Sequence, residues 1–237
     1  MVLSLGFGAL ASARADASLD HARTARARLG SGVWSRIVRI ENTAKRSHYP
    51  RELHALVFEV GGLLWFYSDG DGTQSFSTHY HQLAAEKADF APLLRAIDPG
   101  FTHFALVADD PTAPPPSRAQ LPNGCFINSY AALRDLLARG ELIASARLLL
   151  VYYRIGGSLR GHTVLAYDTP GGSYVMDPTA PDNTAQPVPA ARAKDAVAVA
   201  QEARPELAIA RARWVPTELP RSTPLLAALT PASAPTP

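Results

Sequence analysis

With 237 residues, 47% of them hydrophobic and 19% charged, the chain can bury a substantial core in one domain, or one domain of two lobes, without disulfides or metals. A formal net charge of +2 is too small to argue for nucleic acid or an acidic membrane surface as partner, and one cysteine excludes an internal disulfide.

Residues 1–30 read as a leader or signal segment. Val2 to Leu10 is a short, mostly apolar run, and Ala11-Ser12-Ala13 and Ala13-Arg14-Ala15 resemble small-residue cleavage sites. This favours an exported protein, periplasmic or secreted. The missing basic n-region leaves a cytoplasmic location as the alternative. The arginines at 14, 23, 26 and 28, with Arg36 and Arg39 beyond, read as a solvated leader and not as a nucleic-acid contact. No run is long enough to span a membrane.

Residues 31–110 form a β-rich portion. Ile37, Val38 and Ile40 mark a strand over Trp34 to Glu41, and His54 to Phe66 reads as a hairpin turning at Gly61-Gly62. Asp69-Gly70-Asp71-Gly72 is the next turn, leading into Thr73 to Thr78; the later acidic ligands of a calcium loop are missing. His79-Tyr80-His81 could turn two imidazoles to one face, but no third metal ligand has recognisable spacing, so no metal site is assigned. A helix is expected over Leu83 to Ile97 and a strand over Phe101 to Val107. Residues 111–122 contain five prolines and read as an irregular connector.

From residue 123 the pattern changes. Phe126, Tyr130, Leu133 and Leu137 recur at helical intervals and predict one apolar stripe, with Arg134, Asp135 and Arg139 outward. Asn123 suits the N-cap and Gly140 the C′ position. Cys125 then lies in the first turn, where the helix dipole and unpaired N–H groups favour a thiolate. Ala146 to Ile155 reads as a buried strand. Gly156, Gly157 and Gly161 make a loop into a strand from His162 to Asp168, which turns through residues 169–172 and returns from Ser173 to Asp177. If Asp168 faces Ser173, Asp177 stands diagonally across from His162, within side-chain reach; a one-residue slip would send it to the opposite face. Cys125, His162 and Asp177 are thus candidates for nucleophile, base and orienting carboxylate. Pro189 to Arg204 reads as an Ala-rich helix and Ala210 to Val215 as a last strand. Residues 217–237, rich in Pro, Thr, Ser and Ala, read as a disordered tail.

Gly124-Cys125 at a helix start, His162 opening a strand and Asp177-Pro178-Thr179 closing the hairpin resemble the transglutaminase-like branch of the papain-like thiol enzymes. The resemblance covers about residues 123–179. It implies an α+β fold in which the Cys helix packs on an antiparallel sheet carrying the His and the Asp, here a core over 123–216. It also implies that Cys125 is the nucleophile, His162 the general base and acid, and Asp177 the orienting group. The family often follows its His with Ala-Trp, where this chain has Thr163-Val164. Gly124-Cys125-Phe126 followed by Asn128 is also similar to the arylamine N-acetyltransferases. Those enzymes place an Arg-Gly-Gly run before the Cys and Val-Gly-Phe-Gly after the Asp, and this chain has neither.

The expected activity is therefore thiol-based acyl chemistry, amide or peptide hydrolysis first. An arylamine N-acetyltransferase-like acyltransferase and a catalytically silent interaction module are the alternatives. The Cys125 N–H would help bind the oxyanion, with Gln120 or Asn123 as the second donor. No cofactor is expected. The partner would be a peptide, protein or other amide, and oligomeric state is left open.

Overall fold

In the computed structural model, which describes residues 6–69, 72–75, 91–108 and 121–217, two five-stranded antiparallel sheets and four helices give a mixed α/β architecture among the described residues. The first sheet has the order β4-β3-β2-β1-β5, with β1 at Ser35–Asn42, β2 at Glu52–Val60, β3 at Leu63–Ser68, β4 at Gly72–Ser75 and β5 at Phe101–Leu106. The second has the order β10-β6-β7-β8-β9, with β6 at Ser145–Ile155, β7 at Ser158–Thr169, β8 at Gly172–Met176, β9 at Gln186–Val188 and β10 at Ile209–Pro216. The helices are α1 (Gly6–Leu29), α2 (Ala91–Ile97), α3 (Cys125–Ala138) and α4 (Ala196–Ala203). No helix among the described residues is long and apolar enough to cross a membrane.

The near-continuous apolar run of β2 reflects burial on both faces. Val38, Leu53, Ala55, Val57 and Phe66 pack with Leu93 and Leu94 of α2 on one side. Leu56, Phe58, Trp65 and Tyr67 pack on the other with α1, α3 and residues of the second sheet. Phe126 of α3 joins the two halves: its ring centroid is 4.1 Å from Trp65 and 6.0 Å from Phe58. Burying such a ring contributes about 2–3 kcal/mol before packing terms. The N-terminal sheet is therefore the second wall of the core around the Cys helix. Leu149, Val151, Val164, Ala166 and Val175, on the other face of the second sheet, pack under Val199 and Ala200 of α4.

Several expectations are corrected. Residues 6–29 are helical, and Ala22, Ala25 and Leu29 are buried, so residues 18–29 pack on the core and are not a solvated stretch. Among the described residues the helix's buried positions are Ser18, Ala22, Thr24, Ala25 and Leu29; four of the five are small, so the helix lies close on β2, and too weakly apolar to stand out as a stripe. Helix α4 is shorter than expected; Asp195 caps it by accepting from the N–H groups of Val197 and Ala198. Strand β7 begins at Ser158, not His162, because Gly156 and Gly157 take positive φ and close a two-residue turn with Ile155 opposite Ser158. The expected strand beyond Ser75, the helix before Ala91, His79 and His81, Gln120 and the tail from residue 218 lie outside the described residues.

Candidate active site

The local structure that delivers Cys125 begins with a tight turn: the Gly124 N–H donates to the Leu121 carbonyl at 3.1 Å. A Cβ at Gly124 would stand 2.5 Å from the Leu121 Cβ, so a larger residue would force this turn apart. Gly124, not Asn123, is the N-cap, and it offers no side-chain cap. Asn123 instead takes φ 51 in the turn, a conformation asparagine tolerates, and lines the cleft. The first-turn N–H groups around Cys125 thus have no side-chain cap competing for them. At the far end, Gly140 occupies C′ as expected: its N–H reaches the Leu137 carbonyl and that of Glu141 reaches Leu136.

The buried face of α3 is broader than the predicted stripe. Phe126, Ile127, Asn128, Ser129, Leu133 and Leu136 are buried, while Tyr130 and Leu137 are half-buried. Arg134 does not face outward; its guanidinium donates to the Leu29 carbonyl at the end of α1. Arg28 of α1 donates to Asn128 Oδ1. The Tyr67 hydroxyl, whose burial holds it protonated well above the usual range, donates to the Pro122 carbonyl at 2.9 Å. These contacts hold the Cys helix, from the turn before it to Arg134, against the N-terminal half of the chain.

The second sheet supplies the other groups. Asp168 pairs with Ser173 and Leu165 with Met176, the expected register, so Asp177 is the first residue past the β8 ladder. His162 Nε2 and Asp177 Oδ2 are 2.7 Å apart, with side chains 11% and 2% exposed. Thr179 donates its N–H and its hydroxyl to Asp177 Oδ1, at 2.9 and 2.7 Å. Arg204, at the end of α4, donates to the same Oδ2 that His162 meets, also at 2.7 Å, and pairs with Glu206 at 2.6 Å. All the acceptor capacity of the carboxylate is thereby directed at named partners.

Electrostatics follow from this geometry. Burial alone would raise Asp177, but the hydrogen bond and charge of His162, with Thr179, hold its carboxyl well below the usual carboxylate range. Burial would lower His162, yet the Asp177 hydrogen bond and that of Cys125 push it up to about 9. Burial likewise opposes ionisation of Cys125, and the hydrogen bond and charge of His162, helped by Thr163, bring the thiol below its ordinary value. The thiol also stands 3.8 Å from Thr163 Oγ1. With Nε2 committed to Asp177, Nδ1 is the ring nitrogen left for proton exchange with the thiol.

Cys125, His162, Thr163, Thr179, Asn123 and Asn128 line one cleft of about 730 Å³. Its other walls include Tyr152, Tyr153, Leu159 and Arg160 from the β6–β7 hairpin. Sequence reasoning missed Thr179, Arg204, Thr163 and Asn128. Only Thr179 left a local sign, an Asp-x-Thr spacing in which the Thr can cap the Asp carboxylate. No family model, curated protein or solved structure matches the chain.

Proposed function

We propose that the protein is a thiol-dependent amide hydrolase of the transglutaminase-like, papain-like kind, acting through Cys125, His162 and Asp177. The observation that carries this reading is a thiol of lowered pKa beside an imidazole that a buried carboxylate holds at 2.7 Å, at the wall of an open cleft. A Cys helix packed on an antiparallel sheet bearing the His and the Asp is also the arrangement that resemblance implies.

The Cys125 thiolate attacks the acyl carbon, and first-turn N–H groups receive the oxyanion. Collapse of the tetrahedral species breaks the C–N bond. The amine leaves with the proton of the His162 imidazolium, and the acyl group stays as a thioester on Cys125. His162, now neutral, takes a proton from water as that water attacks the thioester. The C–S bond breaks, the acid departs, and the thiolate–imidazolium pair is restored. Asp177 holds the ring through Nε2 and stabilises its cationic form. Gly161 and Arg160 on the cleft are exposed, which brings water to the thioester and favours hydrolysis over transfer to an acceptor amine.

The test is the rate of Cys125 alkylation by iodoacetamide from pH 4 to 10 in the wild type and in His162→Ala. The reading requires an acid plateau in the wild type that vanishes in the variant. A single titration near the ordinary thiol value of about 8.5 in both proteins makes Cys125 structural.

A further inference from the structure

Apart from the Cys125 thiol, the fixed charge lining the cleft is basic. Its basic lining groups are Arg160 and His162, the tyrosines Tyr152 and Tyr153 are phenols, and no carboxylate lines it among the described residues. A second hollow of about 340 Å³, lined by Tyr152, Arg211, Ala212 and Arg213, adjoins the first through the shared Tyr152. Strand register explains the placement. Arg213 pairs with Leu150, and Leu150 with Thr163, the neighbour of the thiol. Arg211 pairs with Tyr152, and Tyr152 with Gly161. Directly paired residues share a face, so both arginines stand on the face of the sheet that bears Cys125.

Two strand spacings separate β10 from β7, about 9–10 Å, which an extended peptide covers in about three residues. Arg211 is stacked over the Tyr152 ring at 4.2 Å, which fixes the guanidinium plane and leaves its N–H edge free. Arg39, Arg192 and Arg204 each have a carboxylate partner. Among the described residues no acidic side chain pairs with Arg160, Arg211 or Arg213. Gly161 lacks a side chain in the row between Tyr152 and the β7 edge, so the floor from the thiol to the arginines stays low.

Resting on the reading of Cys125 as the acyl-accepting thiol, we propose that the substrate carries an oxyanion, a carboxylate or a phosphate, about three residues from the reacting carbonyl. Arg211 and Arg213 hold it, and Arg160 adds to the field at the cleft mouth. Two guanidinium forks on one face match either group.

The test uses three peptidyl vinyl sulfones that differ only at the third residue from the electrophile: Glu, phosphoserine or Gln. Second-order rates at Cys125 are divided by the iodoacetamide rate of the same protein, which reads the thiol without the subsite. The Glu or the phosphoserine probe is expected to react about ten-fold faster than the Gln probe, and the faster of the two names the oxyanion. That preference should fall toward unity in Arg211→Gln/Arg213→Gln, and in the wild type as NaCl rises from about 50 to 500 mM. The salt series stands even if the double variant folds poorly. Equal rates for all three probes on a wild-type thiol that iodoacetamide finds ionised overturn the subsite alone, as does a preference that survives both the substitutions and the salt. A thiol with an ordinary titration overturns the Cys125 reading and the subsite together.

Discussion

Asp177→Asn isolates what the buried carboxylate does. Raising the imidazole from 6.5 to about 9 corresponds to about 3 kcal/mol in favour of the imidazolium, against the cost of burial. The Asp177 hydrogen bond is the largest favourable contribution, followed by that of Cys125. An amide at 177 keeps the size of the side chain but carries no charge. It also leaves the Arg204 guanidinium, 2.7 Å from Oδ2, beside the ring with the more exposed Glu206 as its remaining carboxylate partner. Both changes disfavour the imidazolium, and the thiol loses the charge that lowers it. An ordinary thiol near 8.5 is less than about 1% ionised at pH 6. The iodoacetamide rate at pH 6 should therefore fall about 100-fold, while the rate at pH 10 stays within about three-fold of wild type. A pH series of alkylation, with far-UV circular dichroism on each protein, measures this. An Asp177→Asn protein that is folded and keeps its pH 6 rate within a few-fold of wild type would refute the assignment of the carboxylate.

Arg204→Ala removes the guanidinium that shares Oδ2 with His162, so the imidazole titration, followed by NMR of the ring protons, should move up from about 9. Arg204→Lys should leave it near the wild-type value, and an unmoved titration in Arg204→Ala makes the pair structural only. Phe126→Ala empties the space between Trp65 and Phe58 and should cost about 3–5 kcal/mol in urea unfolding; a loss under about 1 kcal/mol argues against a core shared by the two sheets. Stability should fall on both sides of neutrality. The Asp177 contribution is full above its unfolded value of 3.8 and is lost as pH falls through its lower folded one. That of His162 is full below 6.5 and is lost as pH rises through about 9. Urea midpoints across pH 2–10 that decline no more in wild type than in Asp177→Asn at the acid end would contradict this.

What the sequence disclosed is what short-range rules govern. Gly140 ends α3 as its position promised, and the turn at residues 169–172 sets Asp168 opposite Ser173, which brings Asp177 to His162. Contacts between elements distant in sequence stayed hidden. Arg204 meets Asp177 across 27 positions because α4 lies on the face of the sheet that carries His162. Nothing in the Ala-rich segment around it signals that pairing. Helix α1 read as a leader from its apolar start and its arginines, and its small buried residues, Ser18, Ala22, Thr24 and Ala25, mark no apolar face, yet Arg28 reaches Asn128 and Leu29 receives Arg134. Tyr130 and Leu137 marked the helical period of α3 correctly. Because the N-terminal sheet covers a second side, though, the buried face widened to Ile127, Asn128 and Ser129.

The site also depends on strands of unequal length. His162 pairs with Val151 and shares the α4 face with Val164, whereas Thr163, its neighbour, turns to the face where Cys125 lies. Consecutive residues leave a strand on opposite sides, so the imidazole and the thiol start from different faces of β7. They can meet only around a strand edge. β6 covers one edge along the whole length of β7, but β8 stops at Met176, opposite Leu165. The edge beside His162 is therefore free of β8, and Asp177 lies where the ladder ends, able to turn its carboxylate to the ring. A β8 extended by pairing residues would close that edge, and one residue more or less in the 169–172 turn would carry Asp177 to the Thr163 side. The approach of Asp177 to His162 is in this sense written into the length and register of one hairpin.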